Sequence, residues 1–218
     1  MKQQFKAILF DMDGTLIDSM KYHVIAWKQA FAEAGYYPDE LEFYLNEGVK
    51  HPVTVRDRLK TLGVDNPDEE TITRIFTRKR EIFHEIADIR PTEGIPELLD
   101  MLHGKVKLGI VTAGLQSVVD RVLAKHFNNY FDIIVHYESV KKGKPNPEPY
   151  LYGAKLTGLP NENILAIENA PAGIESAIGA GLTCWAVRTT LEAEYLSQAD
   201  RVFGDFGDMK GALAAFIE

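Results

Sequence analysis

The chain contains one cysteine, Cys184, in 218 residues. No intrachain disulfide can form, so stability must come from a packed core, and a reducing compartment suits the protein. Cys184 sits in the apolar run Leu182–Val187 and reads as a small core residue, neither ligand nor nucleophile. Long apolar stretches are also missing. No run approaches the ~20 residues that a membrane-spanning helix needs. The opening MKQQFKAILFDMDGT lacks the extended apolar segment and small-residue cleavage site of a secretory signal. A cytoplasmic location without a membrane partner is therefore expected. Positive charge is scarce: 24 Lys and Arg stand against 32 Asp and Glu, a formal net charge of -8. Such a surface repels a nucleic-acid backbone, so nucleic acid is not an expected partner, although one cationic pocket remains compatible. Repeats and low-complexity tracts are absent, and a monomer is expected. Hydrophobic residues make up 45% of the chain, enough for a sizeable core in one large domain or a domain with an insertion.

Five short apolar runs read as buried parallel strands: Ala7–Phe10, Leu108–Val111, Ile133–Val135, Ile164–Ile167 and Leu182–Val187. Helical spacing fills the gaps between the later ones, over Gln116–Lys125, Pro147–Leu156 and Pro171–Ala180. This alternation predicts an α/β fold, a Rossmann-like doubly wound parallel sheet. The rhythm breaks between Asp18 and Asp88. There the pattern predicts three helices and no strand: Met20–Ala34, Pro52–Leu62 and Asp68–Ala87, the first two stopped by Gly35 and Gly63. The expected organisation is a core of residues 1–16 and 89–218 with an inserted α-helical cap domain, 17–88, hinged near Asp18 and Asp88. An insertion beside a strand end can act as a lid that excludes water.

Four segments carry candidate chemistry. Asp11 and Asp13, in FDMDGTLIDS, follow the first strand, at the sheet edge where open α/β folds place their sites. Two carboxylates at ~4 Å repel by about 4 kcal/mol near a protein surface. A hard cation such as Mg²⁺ relieves that repulsion, and Gly14 permits the sharp turn that follows. Thr112, in LGIVTAG, offers a hydroxyl, and the small turn Ala113-Gly114 offers backbone N–H groups for a phosphoryl oxygen; alone, a threonine at a strand end is commonplace. In KKGKPNPEPY three prolines stiffen the loop that presents Lys144, while Lys141 and Lys142 read as solvated. Glu168 and Asn169, in ILAIENAPAG, end another strand and read as oxygen ligands for the same ion, although Asn169 before Pro171 also fits a helix start.

Taken in order, FDMDGTLIDS, VTAG, GKPNPEPY and IENAPAG resemble the haloacid dehalogenase superfamily over nearly the whole chain. The resemblance implies a phosphotransferase with a capped Rossmann-like core. It implies that Asp11 is the nucleophile that becomes an aspartyl phosphate and that Asp13 is the general acid and then the base. Thr112 and Lys144 would position the phosphoryl group. Mg²⁺ would be held by Asp11, the backbone carbonyl of Asp13 and the Glu168-Asn169 segment. A carboxylate at Asp13 argues against dehalogenation, because halide needs no proton. Asn169 departs from the family pattern, which carries aspartate there, and weaker metal affinity, or a larger share of the metal carried by Glu168, is expected.

Within the superfamily, the Tyr-His-x-x-Ala-Trp pattern of Met20–Lys28 is similar to the β-phosphoglucomutase-like subgroup. His23 is expected near the hinge beside the site, and Trp27 in the cap core. Mutases of that subgroup carry basic residues near 46–52 to hold a second phosphate. This chain has Glu47 before Gly48, then Lys50 and His51. Glu47 paired with Lys79 would suit a compact anionic leaving group; Arg78 and Arg80 on the same helix read either as further contacts to that group or as a solvated basic face. The expectation is a Mg²⁺-dependent phosphohydrolase acting on a small phosphorylated metabolite or pyrophosphate. The alternatives are a β-phosphoglucomutase and a non-catalytic binding protein of the same fold.

Overall fold

The computed structural model describes residues 4–217, the side chain of His51 excepted. Six strands form one parallel sheet in the order β3-β2-β1-β4-β5-β6. They are β1 (Ala7–Phe10), β2 (Lys107–Val111), β3 (Ile133–Val135), β4 (Ile164–Glu168), β5 (Thr183–Val187) and β6 (Arg201–Phe203). Alternate side chains on a strand face opposite sides. Ile8 and Phe10 of β1 pack with helices α5 (Ile95–Leu102), α6 (Gln116–His126) and α9 (Phe206–Leu213). Ala7 and Leu9 pack on the other face with α7 (Glu148–Thr157) and α8 (Pro171–Gly179). Both faces are covered, which is why the central strands read as continuous apolar runs.

Between β1 and α5 the chain leaves the sheet for α1 (Met20–Glu33), α2 (Leu41–Leu45), α3 (His51–Thr61) and α4 (Glu69–Ile86). Gly35 and Gly63 follow α1 and α3 with φ of 84° and 86°, the left-handed turn that ends a helix. Asp68 caps α4, accepting from Thr71 N–H at 2.7 Å, and Glu69 and Glu70 complement its N-terminus. These helices bury a core of their own, in which Trp27 stacks on Phe43 with ring centroids 5.9 Å apart. The two crossings back to the sheet run side by side: Asp18 N–H donates to Arg90 O at 3.0 Å, and Ile17 bridges Pro91.

Four elements differ from the sequence expectation: β6, α2, α5 and α9 are present where none was read. Strand β6 has three residues at the sheet edge, too few to show a period. Among the described residues, no helix is long and apolar enough to cross a membrane.

Candidate active site

The sheet order changes direction beside β1, whose neighbours are β2 and β4. Phe10 pairs with Ile167, so the residues that follow, Asp11 and Glu168, leave adjacent strand ends together. Thr112 follows β2 on the other side and is 5% exposed. One parallel register thus converges three distant segments on one edge.

Lys144 reaches this edge from the loop before α7. Its ammonium donates to Asp11 Oδ1 and to Glu168 Oε1, both at 2.6 Å, and it is 3% exposed. Burial works against its charge, but Asp11 and Glu168 outweigh burial and keep it protonated. Removing one partner from such a buried pair costs about 3–5 kcal/mol. Burial pushes Asp11 up to about 7, against the pull of Lys144 and with a contribution from Glu168. Its second oxygen, Oδ2, is buried without a hydrogen-bond partner. Lys141 and Lys142 are exposed, as the sequence implied.

Asp13 lies in a second knot. Ser19 Oγ donates to its Oδ1 at 2.6 Å, and His23 Nε2 lies 3.1 Å from the same oxygen. Lys79 Nζ is 2.7 Å from His23 Nδ1, which accepts, so Nε2–H is the donor to Asp13. Burial raises the Asp13 carboxyl, but the His23 and Ser19 bonds prevail and bring it to about 2. Burial lowers His23, with Lys79 adding to the effect, so the imidazole acts as a hydrogen-bond donor rather than a cation. Lys79 is itself 1% exposed, and burial drags its ammonium down to about 7. It lies over the Trp27 and Phe83 rings at 4.9 and 5.1 Å from their centroids.

The structure gives Glu47 a different partner from the one expected. Glu47 Oε2 accepts from Asn169 Nδ2 at 2.8 Å, while Lys79 is committed to His23. Glu47 Oε1 is buried without a hydrogen-bond partner. Burial and the nearby Asp11 push this carboxyl well above its ordinary value. Asn169 Oδ1 accepts from Thr15 Oγ1 at 3.0 Å, and its Nδ2 lies 3.1 Å from Thr190 Oγ1. Asn169 does not cap α8; Ala170 holds that position. Gly14, at φ 79°, passes so close that a Cβ there would lie 2.3 Å from Asn169 Nδ2. A side chain at 14 would be strained by its backbone and would collide with the site.

The short loop between α2 and α3 docks on the sheet edge through Lys50. Its ammonium donates to the carbonyls of Val140 at 2.9 Å and of Tyr137 and Lys141 at 3.2 Å, and it lies 4.1 Å from the Tyr137 ring centroid. Val49 bridges Lys144 alongside. A Cβ on Gly143 would lie 2.6 Å from Lys50 Cγ, so the two loops interlock. The side chain of His51 lies outside the described residues.

Sequence reasoning missed several supporting residues. Tyr150 is fully buried, and its hydroxyl donates to Glu168 Oε1 at 2.7 Å. Thr15, Ser19 and Thr190 orient Asn169 and Asp13. For three of them the available signal was position: Thr15 lies inside the first motif, Ser19 closes it, and Tyr150 closes the proline-rich one, while Thr190 lies in none of the motifs.

The two knots floor a cavity of about 210 Å³ beneath the helical insertion. Asp11, Asp13, Thr112, Ala113, Gly114, Glu47, His23 and Lys79 all border it. Glu168 and Asn169 lie behind this floor, held to Lys144 and Glu47.

Residues 8–187 match the family model described as haloacid dehalogenase-like hydrolase. Hexitol phosphatase A of Escherichia coli is 32% identical, over 90% of this chain and 89% of its own. Phosphoglycolate phosphatase of Aquifex aeolicus is 33% identical, over 81% of each. A solved Bacteroides vulgatus structure, provisionally described as a β-phosphoglucomutase, is 31% identical with a TM-score of 0.90, covering 98% of this chain and 89% of that one. The β-phosphoglucomutase structure from Clostridium difficile is 25% identical with a TM-score of 0.81, covering 97% and 96%. The chain belongs to the haloacid dehalogenase-like hydrolases, with the fold of their β-phosphoglucomutase-like members, and is an enzyme of their phosphatase type.

Proposed function

We propose that the chain hydrolyses a small phosphorylated metabolite through a phospho-Asp11 intermediate with the help of a divalent cation. The observation that carries this reading is the asymmetry of Asp11. One oxygen is fixed by Lys144, and the other is buried and unpaired beside the cavity. A fixed carboxylate with one free oxygen is a preorganised nucleophile.

In the first step an Asp11 oxygen forms a bond to phosphorus as the bond to the leaving oxygen breaks. Thr112 and Lys144 hold phosphoryl oxygens, and Asp13 gives its proton to the leaving oxygen. Asp13 is ionised at rest, so the incoming phosphoryl dianion must raise its proton affinity before it acts as an acid. In the second step Asp13 takes a proton from water as the water oxygen bonds to phosphorus and the bond from phosphorus to Asp11 breaks, which returns the Asp11 carboxylate and releases inorganic phosphate. The Ser19 and His23 bonds hold one Asp13 oxygen in place through both steps.

No group of three or more His, Cys, Asp or Glu among the described residues is arranged to hold a metal. The charge of the floor nevertheless suits a divalent ion such as Mg²⁺. Asp11 and Glu168 share one ammonium, Glu47 is held by Asn169 alongside, and Asp11 Oδ2 and Glu47 Oε1 are buried without partners. Asp11, the Asp13 carbonyl, Asn169 and Glu168 would hold the ion, with Glu47 beside them. When bound, it supplies charge neutralisation for the phosphoryl oxygens.

The same reading divides the chain into a core of 1–16 and 89–218 and a cap of 17–88. It describes a cytoplasmic monomer, and the buried free Cys184 suits a reducing compartment. The mutase alternative is favoured by likeness to the β-phosphoglucomutase structures. Against it, the lysine of the 46–50 loop is spent on backbone carbonyls, and Val49 borders the cavity instead. Phosphate release should be measured with Mg²⁺ for the wild type and Asp11→Asn. Loss of at least a thousandfold is expected; equal activity would refute the nucleophile. With β-glucose 1-phosphate, release of inorganic phosphate supports hydrolysis, and formation of glucose 6-phosphate supports the mutase.

A further inference from the structure

Lys50 grips the sheet edge at two places, and each leads to one of the two phosphate-positioning groups. The first path runs through Tyr137. The Lys50 ammonium donates to Tyr137 O at 3.2 Å and lies over its ring. Tyr137 N–H donates to Gly114 O at 2.9 Å, and Gly114 N–H donates to Thr112 Oγ1 at 2.9 Å. That bond fills an acceptor site of the threonine oxygen and leaves its own proton to donate to a phosphoryl oxygen. The turn that aims Thr112 is thus braced from its far side by the residue that Lys50 holds.

The second path runs through the loop of Lys144. The same ammonium donates to Val140 O at 2.9 Å and to Lys141 O at 3.2 Å. On the other side, the N–H groups of Lys141 and Lys142 donate to Glu148 at 2.8 and 3.0 Å. Glu148 is also a longer-range counter-charge for Lys50. Val49 bridges Lys144, and Gly48, at φ 80°, lies against the Lys144 stem: a Cβ there would be 2.9 Å from Lys144 Cδ. Lys50 does not itself border the cavity. We infer that Lys50 is a positioning residue for phosphoryl transfer: one cation from the helical insertion holds both the Thr112 turn and the Lys144 loop in place without touching substrate. The inference rests on the hydrolase reading above. A misplacement of about 1 Å can cost ~10²-fold in rate, so loosening both supports should be read in kcat.

The test uses p-nitrophenyl phosphate with Mg²⁺. Lys50→Met keeps the stem and removes the donor. Its kcat should fall by about tenfold or more while KM moves less than about threefold. Lys50→Arg returns a donor to the carbonyls and should recover most of the loss. The decisive readout is a double-mutant cycle with Thr112→Val. If Lys50 acts through Thr112, the two losses in kcat should fall short of their product by about threefold or more, whereas independent effects multiply. An unchanged kcat in folded Lys50→Met, or losses that multiply, overturns the inference. A loss confined to KM also overturns it, because it places Lys50 on the substrate. If Lys50→Met does not fold by circular dichroism, Lys50→Gln takes its place under the same expectations. Equal activity of wild type and Asp11→Asn would remove the hydrolase reading and this inference with it. A wild type that depends on Asp11, with Lys50→Met equally active, removes this inference alone.

Discussion

Replacing Asn169 with aspartate exchanges one heavy atom, Nδ2 for oxygen, and should strengthen the protein's response to Mg²⁺. The amide now donates to Glu47 Oε2 at 2.8 Å and to Thr190 Oγ1 at 3.1 Å, and accepts from Thr15. Aspartate keeps the Thr15 bond and loses both donors. A second carboxyl then faces Glu47, which burial and Asp11 already hold well above its ordinary value. One proton shared between the two acids is the least costly outcome. Leaving a buried group unsatisfied costs about 1–3 kcal/mol. At about 2–4 °C per kcal/mol for a chain of this size, a 2 kcal/mol loss lowers Tm by about 4–8 °C. That loss applies in EDTA. With Mg²⁺ present, the added formal charge attracts the cation, and the half-saturating concentration should fall at least tenfold, about 1.4 kcal/mol. Linkage then stabilises the variant more than the wild type as Mg²⁺ rises. Differential scanning fluorimetry across a Mg²⁺ series reads both arms, independent of catalysis. A variant more stable than wild type in EDTA, or one with unchanged Mg²⁺ half-saturation, would refute the reasoning.

Two further perturbations test the surrounding residues. Lys79 binds fewer protons in the fold than unfolded between pH 7 and about 10, because burial lowers it to about 7. Its destabilising effect is therefore fully present below pH 7 and fades as pH rises toward 10. Lys79→Met should raise Tm more at pH 6 than at pH 9 while slowing catalysis; a pH-independent gain in thermal melts would contradict the assignment. Lys50→Met keeps the stem and removes the donor to three carbonyls. Hydrogen exchange should then quicken together in 46–50 and 137–141, and quickening confined to one segment would deny their coupling.

Much of this architecture is written locally. The runs at Ala7–Phe10 and Ile164–Glu168 are apolar throughout because helices cover both sheet faces. Their termini therefore announce where Asp11 and Glu168 emerge. Lys144 was legible because the prolines that follow it stiffen the loop that presents it. The rest depends on pairings no local pattern encodes. Asn169 meets Glu47 from 122 residues away, and Lys79 meets His23 across 56. All four are polar, with Asn169, Glu47 and Lys79 buried and His23 partly so, and sequence period cannot separate that from polar and exposed. Helix α9 escaped notice for a local reason: FGDMKGAL contains two glycines, which weaken the helical signal. Helix α5, IPELLDML, has a clear apolar face but spans only eight residues, a short window in which to recognise a helical period.

The grip of Lys50 on backbone oxygens has a consequence for ionic strength. Ion pairs such as Lys28–Glu40, at 2.6 Å and half exposed, weaken as salt screens them. A part-buried cation whose direct bonds go to peptide carbonyls, with Glu148 as a longer-range counter-charge, has less to lose to dissolved ions than an exposed ion pair. The joint between the helical module and the sheet should thus persist in brine that loosens the protein's surface.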